Sequence, residues 1–144
     1  MKGVISAGSI PTAQAGAAIL QAGGNAVDAA VAACFAVAAG EPTVTSLAGG
    51  GMMLVRSART GEVEVLDFFG NAPALKQSDV SPLDFYSIDL NYGPTTQSFY
   101  VGAGAAGVPG NIPGLCTALE RWGSCALSEV IEPACRLLRE GAVL

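Results

Sequence analysis

At 144 residues, 51% of them hydrophobic and only 13% charged, with net charge −5, the chain suits one domain and carries too few basic residues to track a phosphate backbone. Soluble domains usually carry roughly 25% charged residues, so much of this surface is expected to lie under other protein: a partner subunit, a second copy or further sequence. There is no histidine, which excludes Ser-His and Cys-His nucleophile pairs. The four cysteines, Cys34, Cys116, Cys125 and Cys135, form no CxxC pair, so zinc-site spacing is absent and no metal or cofactor is expected.

The opening MKGVISAGSIP carries no targeting pattern. That start reads as cytoplasmic, or as periplasmic or secreted if a leader has been trimmed. PTAQAGAAILQAGG predicts a first helix, with Pro11 in its opening turn, Ser9 or Thr12 as cap and Gly23-Gly24 as its stop. Asn25 caps a second helix over 26–39, and Asp28 falls three positions later, where a carboxylate meets free N–H groups. That helix is apolar nearly all round and is expected to be covered on every side, with Cys34 as a small buried hydrophobe. Its length falls short of the roughly 20 residues of a membrane span.

After GEPTVTSLAGGG the period changes to two, predicting a β-hairpin with strands at 52–56 and 62–68 joined through Thr60-Gly61. Glu62 and Glu64 read as a solvated strand face. Residues 71–113, rich in proline and glycine, read as long loops with one short strand at SFYV, 98–101. Helices come next at 113–122, with Leu115, Leu119 and Trp122 on one face, and at 128–140, where Pro133 removes a hydrogen bond or bends the helix.

GAGAAG, 102–107, satisfies a G-x-G-x-x-G spelling, but Val108-Pro109-Gly110 comes after it instead of a helix, so a loop packed closely on its neighbours is the favoured reading. AGGG, 48–51, lacks the Lys-Ser/Thr of a P-loop and reads the same way. Thr95-Thr96 read as turn residues. Among the carboxylates, Asp67 and Glu41 sit among apolar or turn residues and are candidates for a site. DFFGNAP, 67–73, poses a further question, because adjacent strand residues point to opposite faces and Phe68 and Phe69 cannot both enter one core.

AGSIPTAQAGAAILQAGGNAVDAAVAACFAVAAGEP, AGGGMMLV, TGEVEVLDFFGNAP, AAGVPGNIPGL and EPACRLLREG resemble, in order and spacing, the N-terminal part of the γ-glutamyltranspeptidase family. The resemblance covers nearly all of 1–144. It implies an α/β fragment of an N-terminal nucleophile (Ntn) hydrolase αββα sandwich, made as a self-cleaving precursor. The freed threonine attacks an amide and passes the acyl group to water or an amine. In the family that threonine lies in the second half of the precursor, so no catalytic residue is expected in this chain. The implied partners are a small-molecule amide or γ-glutamyl substrate and the missing C-terminal half or small subunit; nucleic acid and membrane are not expected.

Two positions depart from the family pattern. Ile10-Pro11 stands where a His-Pro pair is common. Asp67-Phe68-Phe69 stands where the family has Asp-Phe-Arg, and that arginine is implied to grip the α-carboxylate of a γ-glutamyl substrate. Phenylalanine cannot make the charge-assisted, often bidentate bonds of a guanidinium, a loss worth on the order of 2–5 kcal/mol for a buried charge left unpaired. The implied function is a self-processing amidohydrolase or acyltransferase with altered specificity. Its alternatives are a true γ-glutamyl transferase or hydrolase acting on glutathione, or a non-catalytic scaffold.

Overall fold

A computed structural model describes residues 3–74 and 83–141. The element order is α1 (Ile10–Gln21), α2 (Ala26–Gly40), β1 (Gly51–Arg56), β2 (Val63–Phe68), β3 (Tyr86–Asn91), β4 (Thr96–Val101), α3 (Asn111–Trp122) and α4 (Leu127–Glu140). The chain forms an α/β fragment of four helices and two β-hairpins, divided into two units: residues 70–108 make one, and the flanking segments make the other.

The larger unit is organised around α2, which packs on α1, α3 and α4. Its core joins Ile19 of α1, Val27, Val31 and Ala32 of α2, Leu115, Ala118 and Leu119 of α3, and Val130 of α4. The start of α2 is fixed by a reciprocal pair. Asn25 Oδ1 accepts from the amides of Val27 (2.8 Å) and Asp28 (3.1 Å), while Asp28 Oδ2 accepts from the Asn25 amide (2.7 Å).

Asp28 does more than cap α2. Wholly buried, it also accepts from the Ser124 amide (2.8 Å), the Ser124 hydroxyl (2.6 Å) and the Cys125 amide (3.2 Å), and Asn25 Nδ2 donates to the Trp122 carbonyl (2.8 Å). One carboxylate thus ties the first turn of α2 to the α3–α4 connection, about 96 residues downstream in sequence. Burial works to raise its pKa, but the Ser124 hydroxyl and the three backbone amides outweigh it and hold the group below the ordinary aspartate value.

Two expectations for α2 are corrected. Cys34 is exposed, not buried, and the helix is not covered on every side. Ala30, Cys34 and Val37 recur at helical spacing along a groove of about 540 Å³ shared with residues 3–8. Although the residue is exposed overall, partial burial desolvates the Cys34 thiol and raises its pKa.

The first hairpin pairs β1 with β2 antiparallel, from Gly51 opposite Phe68 to Arg56 opposite Val63. Glu62 and Glu64 are exposed as expected, but the face of β2 that carries them turns inward further along the strand. Leu66 and Phe68 pack on the core, and Glu64 shares their parity, so its carboxylate meets α3: Arg121 donates at 2.7 Å and the Trp122 indole at 3.1 Å. About half of the Glu64 side chain remains in water. The opposite face carries Met52, Leu54, Val63 and Val65, each more than half exposed. Arg56 and Asp67 share that face at its two ends, and between them lies an exposed apolar patch.

In the smaller unit, β3 pairs with β4 from Tyr86 opposite Val101 to Asn91 opposite Thr96. The expected strand at 98–101 is therefore one arm of a second hairpin, and the long-loop expectation for 71–113 is corrected; residues 75–82 lie outside the described residues. YSIDLN alternates with period two, and the turn that reverses it is closed by Gly93 donating to Asn91 Oδ1 (2.8 Å) and Tyr92 to the Thr95 carbonyl (2.9 Å). The prolines that suggested loops lie outside both strands.

Candidate functional site

The end of β2 gathers the residues of interest. Phe68 is the last residue of the ladder; its side chain lies against Gly51 and Gly114 and its backbone against Gly110, three glycines that form a notch around it. A Cβ at Gly114 would run into the Phe68 ring, and one at Gly110 into its carbonyl. These two glycines let α3 approach the strand closely enough to seat the aromatic ring against the core. The notch is braced by the preceding turn. The amides of Gly110 and Asn111 both donate to the Gly49 carbonyl (3.0 Å each), and Asn111 Nδ2 donates to the Ser46 carbonyl (2.9 Å).

Phe69, one residue further, is 63% exposed and points away from that core. Its amide donates to Asp67 Oδ1 at 3.0 Å, a local side-chain turn that continues the direction of the chain beyond the ladder. The two phenylalanines therefore divide: Phe68 anchors the strand end and Phe69 is displayed by it. The Asp67 bond was not foreseen, although an Asp two residues before the final aromatic is a recognisable turn signal.

The other sequence candidates fall into structural roles. Glu41, at the C-terminal end of α2, accepts from the buried Thr12 hydroxyl (3.2 Å), which lies 2.8 Å from Ser9 Oγ; this group locks the start of α1 to the end of α2. In 102–107, the amide of Ala103 donates to the Asp84 carboxylate (3.0 Å) and that of Gly104 to the Asp84 carbonyl (2.8 Å). Those N–H groups, which a phosphate would need, are already engaged by the chain itself, and Gly102 supplies the turn with φ of 105°. In 48–51, Gly49 packs against Asn111 and Gly51 against Phe68. Thr95 lies in the β3–β4 turn and Thr96 opens β4. Among the described residues, no group of three or more His, Cys, Asp or Glu is placed to hold a metal, and no helix is long and apolar enough to cross a membrane.

Comparison with known proteins gives these residues a context. The family described as Gamma-glutamyltranspeptidase matches residues 12–144. The glutathione hydrolase proenzyme of Escherichia coli is 35% identical over 143 residues, 99% of this chain. The acylase ACY 1 proenzyme of Pseudomonas sp. strain V22 is 40% identical over 130 residues, 90% of this chain. The chain spans 23% of the length of each. Among solved structures, the gamma-glutamyltranspeptidase from Pseudomonas nitroreducens complexed with L-DON superposes with a TM-score of 0.73 at 33% identity, covering 94% of this chain and 38% of that one. The chain belongs to the gamma-glutamyltranspeptidase family of Ntn hydrolases, whose relatives include both glutathione hydrolases and acylases.

Proposed function

We propose that this segment is the front of a self-processing amidohydrolase or acyltransferase in which an N-terminal threonine, supplied outside the segment, attacks an amide. Its contribution is structural and selective, not nucleophilic. The α2 core and first hairpin form the frame, and the Asp67–Phe69 strand end forms part of the wall that meets the acyl group. Phe69, exposed at the position where the resemblance places a carboxylate-binding arginine, is the observation that carries the reading. An apolar ring there leaves an α-carboxylate without its charged partner, so the preferred acyl group is apolar and uncharged rather than γ-glutamyl.

The acylase relative, at 40% identity beside 35% for the glutathione hydrolase, supports an amide substrate outside the γ-glutamyl class. The apolar outer face of β1–β2 supports further sequence closing over this sheet, with the chemistry shared between the two parts. Mass spectrometry of the complete protein carrying this segment tests the enzymatic reading. Two chains, the second beginning with threonine, are expected; an uncleaved product would favour a scaffold. Steady-state hydrolysis tests the specificity, with γ-glutamyl p-nitroanilide expected to be a poor substrate and pentanoyl p-nitroanilide, of similar length but uncharged, the better one.

A further inference from the structure

We propose that residues 3–8 are an open sheet edge that takes up one extended, apolar β-strand from the part of the protein outside this segment, laid in the groove beside α2. The inference rests on the reading under Proposed function that further sequence closes over this segment. Three contacts fix the path of 3–8. Gly3 lies against the Leu20 side chain, the Ile5 side chain occupies the space that a Cβ at Gly16 would need, and Gly8 lies against the Glu41 carboxylate, which accepts from Thr12 (3.2 Å). The stretch therefore runs beside α1 from Leu20 toward Thr12. That part of α1 spans about 12 Å, a distance these residues cross only with a largely extended backbone, at roughly 3.3 Å per residue. Ile5 packs on the core while Val4 is 97% exposed, the alternation of a strand.

Held in place by its side, the stretch has no backbone hydrogen bond among the described residues. A preformed extended chain with free N–H and C=O groups is a template for strand pairing. The groove of about 540 Å³ lies between this edge and Ala30, Cys34 and Val37 of α2, and no charged residue lines it. Its occupant must supply backbone groups at strand spacing along 3–8 and apolar side chains at alternate positions toward α2. A lipid tail or a small apolar molecule supplies only the second. The chain spans 23% of the length of the relatives it matches, so proteins of this kind carry ample further sequence to provide the strand. The exposed Cys34 then becomes a covered residue, buried by the added strand rather than by its own helix neighbours.

The test uses the complete protein. Hydrogen–deuterium exchange resolved to single amides is expected to show alternate amides of residues 4–8 slowed more than about tenfold relative to an unstructured chain. Cys34 is expected to react with N-ethylmaleimide only after denaturation. Ala30→Trp fills the groove and should return those amides to unprotected rates while the amides of α1 and α2 stay protected; if that variant fails to fold, Cys34 labelling in the wild type serves in its place. Slowing of less than about tenfold at every amide of 4–8, rapid labelling of native Cys34, or protection that survives in a folded Ala30→Trp overturns the proposal. Protection that disappears on dilution assigns the edge to a second copy and overturns it too. The parent reading is visible separately at Met52, 69% exposed on the outer face of the first hairpin. Rapid oxidation of Met52 by hydrogen peroxide counts against further sequence covering that sheet, whereas slow oxidation with unprotected 4–8 amides sinks the edge proposal alone.

Discussion

Asp28 and Asp67 perform the same local act, each accepting a backbone amide a few residues away, in opposite surroundings. Asp28 is wholly buried and receives four hydrogen bonds from two distant parts of the chain. Asp67 is exposed and bonds the amide of Phe69. A carboxylate withdrawn from water is tolerated only when its acceptor sites are filled, so Asp28 holds the fold and leaves nothing over for chemistry. A carboxylate at a strand end stays in water, costs little and closes a local turn with the Phe69 amide. The difference separates a carboxylate on which the fold depends from one whose bond is local to a strand end.

The sharpest way to break that separation is at Asp28. Asp28→Ala leaves the Asn25, Ser124 and Cys125 donors without a partner and is expected to cost roughly 3 kcal/mol of stability, measured as a lowered Tm of the complete protein by calorimetry. The pH dependence comes from the sign of the shift. Because the folded pKa lies below the unfolded one, the stabilisation is fully present above about pH 4 and is lost as the pH falls through the folded value. Asp28→Asn should lack this acid-side loss. A wild type and Asp28→Asn with the same pH profile would remove Asp28 from its assigned role.

The glycine notch comes next in size. Gly114→Ala drives a methyl group into the Phe68 ring and is expected to cost about 1–3 kcal/mol through overpacking. It should also raise KM, because the strand end that carries Phe69 must shift. Chemical denaturation and steady-state kinetics on the same variant check both effects. A loss of stability with an unchanged KM would show that the anchoring of Phe68 and the aim of Phe69 are independent. The smallest effect belongs to Glu64→Gln. Its bonds to Arg121 and Trp122 are half exposed, so a change below about 1 kcal/mol is expected by the same denaturation experiment.

Much of this architecture was legible in the sequence where one local signal had a single interpretation. Ser9, Asn25 and Asp28 announced the starts of α1 and α2, and Gly-Gly announced the end of α1, because caps act within a turn of themselves. β2 shows where local signals conflict. EVEV alternates, but the phase flips at Val65-Leu66, so each face of the strand carries both charged and apolar residues. Leu66 and Phe68 decide which face is inside, and they carry Glu64 with them toward α3. Cys34 failed for a related reason: an apolar helix demands cover, but whether the covering element lies within 144 residues is not a local property. In the second hairpin, prolines and glycines outside the strands obscured the period of YSIDLN. At the candidate site, the division between Phe68 and Phe69 came from strand parity, whereas the Asp67 bond required coordinates.

The central claim is that residue 69 decides which acyl group the enzyme accepts. The direct measurement is the ratio of kcat/KM for pentanoyl p-nitroanilide to that for γ-glutamyl p-nitroanilide, in the complete wild-type protein and in Phe69→Arg. A wild-type ratio well above one is predicted. It should fall by about 30-fold or more in Phe69→Arg, in line with about 2 kcal/mol or more for a restored charge pair. A wild type that prefers the γ-glutamyl substrate, or a ratio unmoved by the arginine, would contradict the account.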